Sequence, residues 1–190
     1  MALWLGLWML PLVVGGATVL LLPARHRALP GYVGVVATLL SWVGALGLLL
    51  NLGLYSPAWV AEATWLHFPT VGAFTVGVYL DTASLLLVLA VCTVALLVQV
   101  FSVWYRRGQA HGRRYVGLLL LFQLAMLCLV VAPNLLQLFV AWELVGACSY
   151  LLIGFDTHNP KAARAATQAF WVNRVADVAL IAALGLLWAQ

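Results

Sequence analysis

The stretch NLLQLFVAWELVGACSYLLIGF, residues 134–155, decides the fold of this chain. It is a run of about 20 mostly apolar residues, the length that an α-helix needs to cross the hydrocarbon core of a bilayer. Its one charged residue, Glu143, lies near the middle of the run. The stretch therefore predicts a membrane-spanning helix that carries a carboxyl group deep inside the bilayer.

Five further apolar runs surround this one, at about residues 2–22, 32–54, 81–104, 115–132 and 166–189. The chain is 66% hydrophobic and 7% charged, whereas soluble domains carry about 25% charged residues. We predict an all-α membrane protein of about six transmembrane helices, the first retained rather than cleaved as a signal peptide. Helices 1–4 occupy residues 1–132 and helices 5 and 6 occupy residues 133–190, in one continuous membrane domain.

The loops predict how the chain is oriented. Residues 55–80 mix prolines, glycines and β-branched residues, which favours an external loop with at most a short hairpin around Phe68 to Val78. That loop has no Lys or Arg, whereas three alternate loops hold eight of the nine basic residues: Arg25, Arg27, Arg106, Arg107, Arg113, Arg114, Lys161 and Arg164. The positive-inside rule places those loops in the cytoplasm and the N-terminus outside. It also explains the net charge of +4 without a nucleic-acid partner.

Three charged residues lie inside the last two apolar runs: Glu143, Arg174 and Asp177. Such a group at mid-membrane costs about 2.5–3.5 kcal/mol on insertion scales and is usually paired or functional. From the helical rise, Glu143 and Asp177 lie roughly 18 Å and 16 Å from the cytoplasmic ends of consecutive helices.

Arg174 and Asp177 share a helix face at i, i+3 and can hide each other's charge as an ion pair. Glu143 has no basic residue on its own helix, so it takes up a proton or finds a cation elsewhere. We interpret Glu143 as a proton-relay residue, with Arg174 and Asp177 beside it.

The remaining polar candidates are weaker. Asp81 opens the third helix, where it either caps the helix or has a functional role. Gln99 and Gln123 either line a wet path or hydrogen-bond across helices. The cysteines, at 92, 128 and 148, have no paired spacing and are interpreted as buried apolar side chains. Because no metal-ligand spacing, phosphate loop or haem motif is present, we expect no cofactor and no redox chemistry in this chain.

Residues 139–155, continued by AFWVNRVAD at 169–177, resemble the antiporter-like subunit L, or chain 5, of NADH:quinone oxidoreductase (respiratory complex I). LDTASL at 80–85 and WYR at 104–106 are similar to its third helix and the loop that follows. The resemblance implies the N-terminal part of a fold of about 14–16 helices built on inverted repeats. It also implies proton translocation coupled to quinone reduction in a partner arm. Glu143 then matches the family's intramembrane glutamate, and Arg174 with Asp177 a second charged pair.

The chain also departs from the family pattern. Gln99 stands where relatives often have a histidine, and the family's central lysine belongs to a later helix, whereas the one lysine here is Lys161. The resemblance thus implies a partial or split subunit in a bacterial inner membrane, completed by another polypeptide and joined to other membrane subunits. The same fold occurs in multisubunit sodium/proton antiporters, membrane-bound hydrogenases and inorganic-carbon uptake complexes. A non-transporting remnant or scaffold is the third alternative.

Overall fold

The computed structural model describes residues 7–23, 28–52, 58–68, 72–105 and 112–188. These ranges form, in order, α1 (Leu10–Leu21, preceded by a 3₁₀ turn at Leu7–Met9), α2 (Leu29–Leu52), β1 (Trp59–Phe68), β2 (Gly72–Leu80), α3 (Thr82–Tyr105), α4 (Gly112–Val130), α5 (Leu135–Ile153) and α6 (Pro160–Trp188). Helices α2 to α6 are long and apolar enough to cross a membrane, and α1 is a shorter apolar helix. The chain is a multi-pass membrane protein, as its apolar runs predict.

The core of the bundle lies among α1, α2, α3 and α4. It is built from apolar side chains of these helices and the end of β2, including Leu12, Val19, Leu80, Val88, Cys92, Leu120 and Leu127. Small residues bring the helices close together, since a Cβ on Gly15 of α1 would lie 2.5 Å from the Cβ of Ala37 in α2. Such small residues are common where helices associate in lipid. Helix α5 packs on α4, and α6 packs mainly on α5, so α6 is the outermost described helix.

A β-hairpin connects α2 and α3, and it is longer than the sequence pattern predicts. Strands β1 and β2 pair antiparallel, with Trp59 opposite Leu80 and Phe68 opposite Gly72. The prediction of an external loop with a short hairpin at Phe68 to Val78 is therefore wrong in extent. The β-branched and aromatic residues of the two strands favour extended backbone. Trp59, Val78 and Leu80 pack one face of the hairpin on the helix core.

The last helix begins earlier than its apolar run predicts, at Pro160 rather than at residue 166. The side chain of Asn159 accepts a hydrogen bond from the backbone N–H of Lys161 at 3.0 Å, and proline suits the first helical position. Lys161 and Arg164 therefore lie in the first turns of α6 and not in a loop. Helices α2 to α5 lie within three residues of their predicted bounds. Arg25, Arg27, Arg106 and Arg107 lie outside the described residues.

Candidate functional site

Glu143, Arg174 and Asp177 meet between α5 and α6, and we call them the charge triad. Nη1 of Arg174 donates a hydrogen bond to Oε2 of Glu143 and lies 3.6 Å from Oδ2 of Asp177. The expected ion pair of Arg174 and Asp177 is present. The same guanidinium also serves as the cation for Glu143, which has no basic residue on its own helix. When all three groups are ionised, the triad carries one net negative charge.

Small residues at the adjoining ends of α5 and α6 let the two helices approach closely. A Cβ on Gly154 would lie 3.1 Å from the Cβ of Ala166, so the two backbones approach closely there. Glu143 and Asp177 each lie 11 residues from that contact along their helices, roughly 16 Å. The two carboxylates therefore have similar depth, as the sequence predicts.

Burial and aromatic contacts distinguish the members of the triad. The exposed fraction of the side chain is 7% for Asp177, 22% for Glu143 and 38% for Arg174. Nε1 of Trp142 donates a hydrogen bond to Oδ1 of Asp177 at 3.0 Å, and Cζ of Arg174 lies 4.9 Å from the centroid of the Phe170 ring. Sequence reasoning missed both aromatic residues. The available signal for Trp142 was its position in the middle of an apolar run, away from the interfaces where tryptophan usually concentrates.

A set of hydrogen bonds, the hairpin clamp, fixes the N-terminal end of α5. Asn134 caps the helix by accepting from the backbone N–H of Gln137 at 2.8 Å, and its side chain donates to the carbonyl oxygen of Thr75 at 2.9 Å. The Gln137 amide pairs with Gly77 like a neighbouring strand, accepting from its N–H at 2.8 Å and donating to its carbonyl oxygen at 3.0 Å. Glu143 lies six residues further along α5, so the clamp sets its position relative to β2.

Asp81 acts as a helix cap in this structure. Its carboxylate accepts from the backbone N–H of Ser84 at 2.7 Å, and its own N–H donates to Oγ of Ser84 at 2.7 Å. The backbone N–H of Ser84, followed by its hydroxyl, holds the pKa of Asp81 below its ordinary value of 3.8. This reciprocal pair satisfies donors at the start of α3 that have no partner within the helix.

Gln99 and Gln123 lie in the core among α2, α3 and α4, and within the described residues neither hydrogen-bonds to the charge triad. Oε1 of Gln123 accepts a hydrogen bond from Oγ1 of Thr38 at 3.0 Å. This is the cross-helix hydrogen bond that was one of the two alternatives predicted for Gln123. Gln99 is as buried as Gln123, with 2% exposure each. The described residues provide no hydrogen-bond partner for its side chain.

Two family models match the chain in succession. Residues 65–116 match the family described as NADH-ubiquinone oxidoreductase (complex I), chain 5 N-terminus. Residues 132–190, which include the whole charge triad, match the family described as NADH:quinone oxidoreductase/Mrp antiporter, transmembrane. The chain belongs to this antiporter-like family of membrane subunits.

Relatives across the antiporter-like family match most of the chain. It is 36% identical over 192 residues to NAD(P)H-quinone oxidoreductase subunit 5 of the Nephroselmis olivacea chloroplast, covering 95% of this chain and 29% of the relative. It is 39% identical over 161 residues to NADH-quinone oxidoreductase subunit L of Escherichia coli (strain K12), covering 83% of this chain and 25% of the relative. A chain of the Mrp complex from Dietzia sp. DQ12-45-1b superposes with a TM-score of 0.77 at 27% identity, covering 96% of this chain and 19% of that one. The chain thus spans little more than a quarter of the length of these curated relatives.

Proposed function

We propose that the chain is part of a proton-translocating membrane subunit of an NADH:quinone oxidoreductase and that Glu143 takes up and releases the proton. The observation that carries the proposal is the shared cation: one guanidinium contacts two carboxylates in the middle of the spanning segments. Ionisable groups at that depth are costly and usually functional. Identity to subunit L of the Escherichia coli NADH-quinone oxidoreductase supports the choice of complex.

The geometry supports a switch in which Arg174 follows the protonation of Glu143. When Glu143 is ionised, its Oε2 accepts from Nη1 of Arg174. When Glu143 takes up a proton, it no longer attracts that cation, and the other carboxylate of the triad, Asp177, lies 3.6 Å away. Trp142 holds Asp177 in place through the indole N–H. Uptake and release of a proton would thereby switch the Arg174 guanidinium between a carboxylate on α5 and a carboxylate on α6.

The triad also supports a partner that supplies further helices. Its net charge is negative, and its cation is partly exposed on α6, the outermost described helix. A partly exposed guanidinium facing lipid is costly, so a protein neighbour with polar side chains fits this face better than acyl chains. We therefore propose that other membrane subunits, including the source of the missing helices, pack against α6.

For the location we propose a bacterial inner membrane with the hairpin outside. Arg113 and Arg114 lie at the start of α4, and Lys161 and Arg164 at the start of α6, on the same side of the bundle. The opposite side carries the hairpin, whose strands contain no Lys or Arg. The positive-inside rule supports a cytoplasmic position for the two helix starts.

The test is proton pumping by the assembled complex in inverted membrane vesicles, with NADH oxidation measured in parallel. Glu143→Gln keeps the size of the side chain and removes the titrating group, so protons pumped per NADH oxidised should fall. Glu62→Gln, on the exposed part of β1, is the matched control and should leave that ratio unchanged. Unchanged pumping per NADH in Glu143→Gln would refute the proposed role.

A subunit of a multisubunit cation/proton antiporter is the second candidate, supported by the superposition on the Dietzia Mrp complex. Mass spectrometry of the native membrane complex that co-purifies with the chain separates the two. Quinone-reductase subunits would support the first candidate. Recovery of antiporter subunits would leave the role of the charge triad in place but change the reaction that drives it. Recovery of the chain alone would contradict both candidate functions.

A further inference from the structure

A groove with a volume of about 390 Å³ runs between α1 and α4 on the outside of the bundle. Apolar side chains and glycines line it, and Arg114 is the charged lining residue at one end. Along α4 the lining extends from Arg114 to Leu124, which is about 15 Å of helix. Since the hydrocarbon core of a bilayer is about 30 Å thick, the groove has the depth of one leaflet.

Two glycines leave the space that forms this groove. A Cβ on Gly16 of α1 would meet no atom within 4 Å, and a Cβ on Gly117 of α4 would contact only the end of the Leu20 side chain, at 3.8 Å. Leu20, which also lines the groove, is 65% exposed. The groove therefore opens toward the lipid, and a straight apolar ligand from the bilayer has access to it.

The charge of Arg114 is available to a ligand in the groove. Its neighbour Arg113 donates a hydrogen bond from Nη1 to the carbonyl oxygen of Leu22, which fastens the end of α1 to the start of α4. Arg114 itself is exposed and forms no ion pair with a carboxylate of the described residues. Asp156, the acidic residue that follows α5, accepts a hydrogen bond from the backbone N–H of His158. An anionic group at this end of the groove would therefore meet an unpaired guanidinium.

We propose that an anionic phospholipid binds here, with one acyl chain in the groove and its phosphate on the Arg114 guanidinium. An acyl chain is apolar and reaches through one leaflet, as the groove requires, whereas a transmembrane helix of a partner would cross both leaflets. Arginine binds phosphate through charge-assisted hydrogen bonds, and basic pockets between transmembrane helices are typical sites for anionic headgroups. The site is formed by α1 and α4 and does not depend on the role proposed for Glu143.

Photocrosslinking in the assembled membrane complex tests the proposal. The complex is reconstituted in phosphatidylcholine vesicles that contain a small fraction of phosphatidylglycerol with a photoactivatable acyl chain, and labelled peptides are mapped by mass spectrometry. The peptides of α1 and α4 that line the groove should be labelled. Replacing part of the phosphatidylcholine by unlabelled phosphatidylglycerol should suppress this labelling, whereas replacing the same part by zwitterionic phosphatidylethanolamine should not. Equal suppression by the two lipids, or no suppression, would overturn the proposal.

Two substitutions separate the groove from the headgroup contact. Gly16→Leu fills the groove and should remove most of the labelling. Gly47→Leu is the matched control, because a Cβ on Gly47 of α2 also meets no atom within 4 Å and Gly47 does not line the groove. Arg114→Gln leaves the groove open and should reduce labelling about fivefold, since one arginine near anionic lipid is worth about 1 kcal/mol. Unchanged labelling in Gly16→Leu or in Arg114→Gln would overturn the proposal.

A density map of the native complex in lipid nanodiscs needs no substitution and covers the case in which a variant does not assemble. The map should show an acyl chain in the groove and a headgroup phosphate about 3 Å from the Arg114 guanidinium. An empty groove, polypeptide in the groove, or a lipid that leaves Arg114 without a phosphate would contradict the proposal. None of these results bears on Glu143, so failure here is distinct from failure of the proposed function.

Discussion

Loss of Arg174 should damage the charge triad more than loss of either carboxylate. The ionised triad carries a net charge of minus one, which becomes minus two in Arg174→Gln and zero in Glu143→Gln or Asp177→Asn. Arg174→Gln leaves two carboxylates in the membrane without their shared cation. The double variant Glu143→Gln/Arg174→Gln returns the charge to minus one and should recover part of the stability.

The expected size of the effect follows from the geometry. Two unit charges about 4 Å apart interact by about 4 kcal/mol at an effective dielectric constant of about 20, and Arg174 lies within that distance of both carboxylates. Removing one partner of a buried ion pair costs about 3–5 kcal/mol. The partial exposure of Arg174 and protonation of one carboxylate lower this cost, so we expect Arg174→Gln to reduce the free energy of unfolding by about 2–3 kcal/mol.

The assay is equilibrium unfolding of the chain in mixed detergent–lipid micelles, followed by tryptophan fluorescence, for the single and double variants. Glu62→Gln controls for removing a carboxylate outside the triad. If Arg174→Gln is as stable as Glu143→Gln, or if the double variant is less stable than Arg174→Gln, then Arg174 is not the shared counter-ion of the two acids.

Two further substitutions test the supports of the site. Trp142→Phe keeps an aromatic ring but removes the N–H that donates to Asp177. A hydrogen bond to a charged group is worth about 1.5–3 kcal/mol, so the free energy of unfolding should fall by about that amount, and pumping per NADH should fall too. Unchanged values would show that the bond is dispensable. Asp81→Ala should cost about 1 kcal/mol of unfolding free energy through the lost cap, and Asp81→Asn much less. Because the pKa of Asp81 is lowered in the folded chain, its ionic contribution is complete above its ordinary pKa and is lost as the pH falls through the folded value, which a pH series of unfolding curves measures.

The spanning helices could be located from hydrophobicity because the bilayer demands a minimum apolar length. The start of α6 does not follow from its apolar run, because the first turns of a membrane helix can be polar. The full length of the hairpin does not follow from the sequence, because its strands alternate too weakly between apolar and polar residues to be distinguished from a loop.

Contacts between different helices do not follow from the spacing of residues along one helix. Spacing along α6 predicts the pair of Arg174 and Asp177, since both lie on one helix. The contact of Arg174 with Glu143 depends on how far α6 is rotated about its axis against α5, which no spacing within either helix determines. The same holds for Gln99 and Gln123, which have one residue type and one depth of burial but different neighbours across the helix contacts.

Through the hairpin clamp, a movement of the hairpin is transmitted to α5. Gln137 and Asn134 bond to the backbone of β2, so a neighbouring protein that pulls or tilts the hairpin also pulls on the first turn of α5. An α-helix transmits an axial push almost without compression, because its backbone hydrogen bonds run along the axis. A displacement of α5 along its axis would shift Glu143 relative to Arg174 on α6 and would change the hydrogen bond between them. Mechanical strain at the membrane surface can thus be converted into a change of ion pairing in the middle of the bilayer.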